Sequence, residues 1–150
     1  MFTVIEKVIF LQNVDVFSEV STEQLAYLAV ISEEVPFPTE GTIYREQDPP
    51  DAMYLVLEGR VRLHRDSLEV TVAGPGDPFG TWALFDDEPR VVTATALEET
   101  RLLRIDREDF IDLLAENVQI TQGVLKALAR RLHGLIGRVG VEPGGRRERV

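Results

Sequence analysis

The hydrophobic period of this 150-residue chain changes twice, at Val35 and at Asp106, and those changes constrain its fold most. Between them lie short runs: "EEVPFP", "GTIYRE", "AMYLVLEG", "RVRLHRD", "LEVTVAG", "RVVTATAL" and "RLLRID". Most are rich in β-branched residues and bounded by Gly, Pro or Asp, the punctuation of strands. "RVRLHR" alternates, placing Val61 and Leu63 inward and Arg60, Arg62 and His64 outward. "LEVTVA" alternates through Leu68, Val70 and Val72. About eight short strands at even spacing suit a sandwich, jelly roll or barrel.

Helical spacing flanks this region. Residues 2–12 predict a short helix with Val4, Ile5, Val8, Ile9 and Phe10 on or near one face. "VSTEQLAYLAVI" predicts a second, with Ser21 as N-cap and Gln24 at the capping-box spacing. Asp106 caps a third, Glu108 and Asp109 suit its positive end, and Phe110, Leu113 and Leu114 form its buried face. A longer helix follows Asn117. In it Val118, Leu125, Leu132 and Val139 recur every seven residues, with Thr121, Leu128 and Leu135 in the alternate slots. That seam fits a dimer contact through Leu125, Leu128, Leu132 and Leu135, and equally a helix packed on its own domain. Gly123, Gly134 and Gly137 each weaken the helix by about 1 kcal/mol relative to alanine. The expected organisation is one domain over 1–139, with N-terminal helices 1–33, a β region 34–105 and C-terminal helices 106–139. A flexible tail follows over 140–150.

Composition removes several functions. There is no cysteine, so disulfides, thiolate metal sites and cysteine nucleophiles are excluded, and a cytoplasmic location is expected. No apolar run reaches the roughly 20 residues of a membrane span, and the N-terminus lacks the features of a signal peptide. A net charge of −10 opposes nucleic-acid backbone, so no direct nucleic-acid partner is expected. The late basic cluster, Lys126, Arg130, Arg131, Arg138, Arg146, Arg147 and Arg149, reads as helix-end charge and tail. His64 and His133 have no second ligand at metal spacing, and the acids at 86–88 read as a solvated turn. No nucleophile–base pair, P-loop or dinucleotide fingerprint is present, so no enzyme is expected, no cofactor and no metal.

One stretch suggests an anion site. In "FGTWALFDDEPRVVTA", Gly80 allows a tight turn and "TWALF" can start a short helix whose free N–H groups point back toward it. Arg90 follows a stiffening proline and can grip a phosphate with two hydrogen bonds. Equally, Arg90 can pair with Asp86, Asp87 or Glu88 and close its own loop.

From Leu11 to about Arg131, roughly four-fifths of the sequence, the chain resembles the cyclic-nucleotide-binding domain family. That family includes effector domains of bacterial catabolite-activator-type regulators, protein kinase A regulatory subunits and cyclic-nucleotide-gated channels. "EGTIYREQDPPDAMYLVLEGRVRL" is similar to its glycine-marked strands, and "FGTWALFDDEPRVVTATALEETRLLRIDREDF" to its phosphate-binding cassette. "LARRL" is similar to the bacterial branch. The resemblance implies an eight-stranded antiparallel β-roll, jelly-roll-like, with N-terminal helices and two C-terminal helices. It also implies a cassette of Gly80, Thr81, Ala83, Arg90 and Val91, in which glycine and helix N–H groups and the arginine meet a cyclic phosphate.

Several positions depart from the pattern. Thr81 stands where the family has a glutamate that holds the ribose 2′-hydroxyl. Trp82 replaces a Leu or Ile, and Val91 and Val92 replace small residues, with Val92 expected to crowd the phosphate pocket. Leu135 and Ile136 stand where bacterial activators offer hydroxyls to the purine. The expected function is a non-catalytic regulatory module, acting on a linked or partner domain, with weak or no cyclic AMP binding. The alternatives are a working sensor of cyclic AMP, cyclic GMP or another small anion, and a ligand-free module that forms a homodimer through its C-terminal helix.

Overall fold

The computed structural model describes residues 1–139. Four helices flank eight strands: α1 (Val4–Leu11), α2 (Thr22–Ile31), α3 (Arg107–Glu116) and α4 (Val118–Val139). The strands are β1 (Glu33–Phe37), β2 (Thr42–Tyr44), β3 (Ala52–Glu58), β4 (Val61–Arg65), β5 (Leu68–Ala73), β6 (Pro78–Phe79), β7 (Thr93–Ala96) and β8 (Thr100–Asp106). They form two four-stranded sheets, ordered β1-β8-β3-β6 and β2-β7-β4-β5, with every pairing antiparallel. The expected β-roll with flanking helices is the observed fold. Two 3-10 turns, Asp15–Phe17 and Thr81–Leu84, complete it.

The sheets enclose one core and the helices cover another. β3 explains how both are filled, because its residues alternate between them. Met53, Leu55 and Leu57 face the helical core with Leu11, Phe17, Leu28 and Phe110. Ala52, Tyr54 and Val56 face the inter-sheet core with Tyr44, Phe79 and Leu102. A strand buried on both faces reads as a continuous apolar run, as "AMYLVLE" does.

Local sequence sets the helix ends. Ser21 and Asp106 accept from the N–H groups of Gln24 and Asp109, as their spacing predicts. Gln24 does not return the bond: its side-chain amide reaches Gln119 on α4 instead. The reciprocal capping box lies on α1, between Thr3 and Glu6.

Two expectations need correcting, and on α4 the choice left open is narrowed. On α1, Val8 and Leu11 are buried while Val4, Ile5 and Ile9 are exposed, so the buried stripe is narrower than the apolar one. On β5, Leu68 is 67% exposed and Val70 is exposed too, because the outer half of the β4–β5 hairpin projects past the core. On α4, Ile120, Val124 and Ala127 face the domain, whereas Val118, Leu125 (60% exposed), Leu132 and Leu135 face outward. Leu128 packs partly against the helical core, and Thr121 donates to the Leu114 carbonyl. The side chain of Val139 and the 140–150 tail lie outside the described residues.

The first part of the basic cluster has definite partners. Lys126 and Arg130 approach Glu19 at 3.8 and 3.2 Å, and Arg131 approaches Asp15 at 3.2 Å. These ions anchor α4 to the segment after α1.

Candidate ligand-binding site

The turn "GTWAL" is local geometry first. Gly80 adopts φ +67°, the left-handed region that a side chain resists, and Thr81–Leu84 then forms the short 3-10 turn. Ala83 and Leu84 are buried and anchor the turn, while Trp82 is 48% exposed. Arg90 packs against this glycine. A Cβ built on Gly80 would lie 2.7 Å from Arg90 Nη1 and 3.2 Å from the Tyr44 hydroxyl.

Arg90 does not pair with Asp86, Asp87 or Glu88. Its side chain is only 5% exposed, and Nη2 donates to Asp51 Oδ1 at 3.1 Å and to the Ala52 carbonyl at 2.6 Å. Nη1 reaches the Gly80 carbonyl at 3.4 Å, and Nε is buried without an acceptor. The guanidinium lies over the Tyr44 ring, 3.9 Å from its centroid. The neighbouring acids are used otherwise: Asp86 accepts from the Glu88 N–H, and Asp87 pairs with Arg107 at 2.6 Å.

Asp51 also faces Arg104 at 3.5 Å, so one half-exposed carboxylate serves two arginines. Burial opposes the Arg104 charge. A hydrogen bond donated to the Tyr54 oxygen and the Asp51 and Asp106 carboxylates outweigh it, and its pKa rises. Burial pushes Tyr44 up to about 12 against the lowering effect of Arg90, so Tyr44 is a neutral hydroxyl at ordinary pH.

In front of this arrangement is a cavity of about 380 Å³. Its walls include Tyr44, Leu63, Gly80, Trp82, Ala83, Arg90, Val91 and Val92, with Asp86 and Glu88 among them. A glycine turn, a short helical turn and a buried arginine thus border one cavity at one end of a β-roll.

The family model for the cyclic nucleotide-binding domain matches residues 34–117, the strands, this cassette and α3. The chain belongs to the cyclic nucleotide-binding domain family. It is 33% identical over 127 residues to the CRP-like cAMP-activated global transcriptional regulator of Mycobacterium tuberculosis, a match covering 81% of this chain and 57% of that one. It is 39% identical over 101 residues to the cyclic AMP receptor protein of Thermus thermophilus, covering 64% and 47%. Among solved structures, the N-terminal domain of a transcriptional regulator from Streptomyces coelicolor superposes with a TM-score of 0.80 at 35% identity, covering 84% and 94%. The chain therefore spans about half the length of the two sequence relatives. Two of these proteins are named as transcriptional regulators, so the expectation of no nucleic-acid partner gains no support from them. Among the described residues no helix is long and apolar enough to cross a membrane.

Of the residues that the sequence assigned to a cyclic nucleotide-binding cassette, Gly80, Ala83, Arg90 and Val91 line the cavity. Thr81 lies on the other side of the turn, in a smaller depression of about 260 Å³ that Asp15 and Arg131 also line. Val92 is half-buried and lines the cavity without filling it, so the expected crowding leaves open space. Trp82 bridges the two spaces: its ring packs on Phe85 and receives Arg131 of α4 at 5.1 Å. Leu135 and Ile136 are not among the cavity residues. His64 contacts the Asp66 carbonyl and Thr95 Oγ1, each at 2.9 Å, which uses both ring nitrogens. Among the described residues no group of His, Asp and Glu could hold a metal ion.

Sequence reasoning missed Asp51 and Tyr44. Asp51 sits in "DPPDAMYL", where an acid beside prolines reads as a turn. The signal for Tyr44 was an aromatic residue on a strand next to polar neighbours, a pattern too common to single out.

Proposed function

We propose that this chain is a non-catalytic, cytoplasmic regulatory module of the cyclic nucleotide-binding family whose cassette binds cyclic AMP and cyclic GMP weakly or not at all. The observation that carries this reading is the state of Arg90. Its guanidinium lines the cavity, but Nη2 already donates to Asp51 and the Ala52 carbonyl, Nη1 reaches the Gly80 carbonyl and the group lies over the Tyr44 face. An incoming phosphate has to compete with an ion pair and two carbonyls already in place. Thr81 adds a second cost. It is uncharged and shorter than a glutamate, so a charge-assisted hydrogen bond worth about 1.5–3 kcal/mol is missing, roughly ten- to a hundredfold in affinity. Output then passes to a linked or partner domain.

Calorimetric titration with cyclic AMP and cyclic GMP tests this. No saturable heat at micromolar nucleotide is expected. Micromolar binding that disappears in Arg90→Ala is the opposite result and sinks the reading.

A second reading is favoured by α4 alone. Leu125, Leu132 and Leu135 are exposed on one helix whose opposite side holds Ile120, Val124 and Ala127 against the domain. Such a stripe suits a homodimer through the C-terminal helix.

A further inference from the structure

We infer that two acids of the segment 15–19 clasp the basic face of α4, and that this contact between charges sets where α4 stops following the domain. The clasp is a salt-releasable strap built into the fold. It operates whether or not a nucleotide enters the cavity beside Arg90, and so goes beyond the reading above.

Burial divides the helix. Ile120, Val124 and Ala127 are buried against the domain, and all three lie in the first half of α4. No residue over 129–137 is buried. A Cβ on Gly134 or Gly137 would meet nothing within 4 Å. Apolar contact therefore holds only the first half. Charge takes over at the boundary. Lys126 and Arg130 are four residues apart, on one face, and Arg131 stands beside them. Glu19 receives Lys126 at 3.8 Å and Arg130 at 3.2 Å, and Asp15 receives Arg131 at 3.2 Å.

The receiving side is fixed and close. Asp15 opens the 3-10 turn whose Val16 and Phe17 are buried in the helical core, and Val20 is buried just beyond Glu19. The Glu19 side chain is 23% exposed, and its carbonyl oxygen would lie 2.8 Å from a Cβ on Gly123. The acids are thus mounted on the core while the three cations are exposed. An isolated exposed pair adds little, but here two acids share three cations along one seam and act as a network. Salt weakens all of them together, because the screening length falls from about 10 Å at 0.1 M to about 3 Å at 1 M. Arg131 is the last cation of the seam, and its guanidinium lies 5.1 Å from the Trp82 ring. Opening the clasp therefore uncovers the cassette turn.

The protein supplies its own reporter, since Trp82 is its one tryptophan. Acrylamide is an uncharged quencher, so it reads the cover over that ring without being screened itself. The full chain is compared in about 0.1 M and about 1 M sodium chloride. At high salt, quenching of Trp82 is expected to rise about twofold and amide exchange over 118–128 about tenfold, with exchange over 52–58 in β3 unchanged. Asp15→Asn with Glu19→Gln is expected to show the high-salt values already at low salt. Arg131→Asp alone is expected to uncover Trp82, and adding Asp15→Arg to restore the wild-type quenching, a rescue that lost packing would not give. Equal quenching of the wild type at both salt concentrations overturns the inference. So does a double variant, Asp15→Asn with Glu19→Gln, that keeps the wild-type salt response. A parallel rise in exchange over 52–58 also overturns it, because the whole domain then opens rather than α4.

Discussion

Arg90 is the one buried cation among the described residues, and a buried charge is tolerated only when its partners are fixed. Its partners come from two distant places, Asp51 and Tyr44, and from the backbone beside them. The sequence made the arginine and its glycine legible, because a left-handed turn and a proline-led arginine are local signals. It hid the partners. Three acids stand within four residues of Arg90, while its true carboxylate is 39 residues away. Only the packing of β2 and β3 against the cassette brings it there. Tyr44 gives this cluster a pH signature. Its folded pKa of about 12 lies above the ordinary 10.0 because burial favours the neutral phenol. The raised value means that its contribution is full below about pH 10 and is lost as pH rises toward 12. Chemical denaturation across that window is expected to show a loss of roughly 1–3 kcal/mol that Tyr44→Phe removes. An unchanged slope in the variant contradicts the assignment.

At the scale of elements, strands and helices were legible where one face is covered along its whole length. β3 and β8 follow their patterns because both sheet faces have partners. β5 shows why alternation was insufficient: it separates two faces without saying which is covered, and beyond the core neither is. The 3-10 turn at Asp15–Phe17 was not legible, since three residues carry no period. The glycines of α4 divide by contact. A Cβ on Gly123 would lie 2.8 Å from the Glu19 carbonyl oxygen and 3.0 Å from Val20, whereas Gly134 has open space around it. Sequence alone gave all three glycines one meaning, a weaker helix. The structure makes Gly123 the point where α4 closes on the chain after α1. Gly123→Ala is therefore expected to destabilise by about 1–3 kcal/mol through overpacking. Gly134→Ala is expected to stabilise by up to about 1 kcal/mol. Thermal denaturation distinguishes the two, and stabilisation by both contradicts the contact.

For the whole molecule, the resemblance implied the fold and the site's address, and the structure bears out the fold. How the cassette is used depends on contacts between elements, which no local pattern records. α4 links the cassette to any assembly, since Arg131 touches Trp82 while Leu125, Leu132 and Leu135 face outward. If α4 pairs with a second copy, sedimentation is expected to give a dimer that Leu125→Asp with Leu132→Asp converts to monomer. A wild-type monomer at high concentration removes that reading. The account as a whole turns on an arginine whose Nη2 is already engaged by Asp51 and the Ala52 carbonyl, and on a sugar anchor that is absent. Its most direct test is calorimetric titration of cyclic AMP into Thr81→Glu beside the wild-type chain. The account predicts no micromolar binding by the wild type and a gain of at least roughly tenfold on restoring the carboxylate. Tight binding by the wild type, left unchanged by Thr81→Glu, would contradict it.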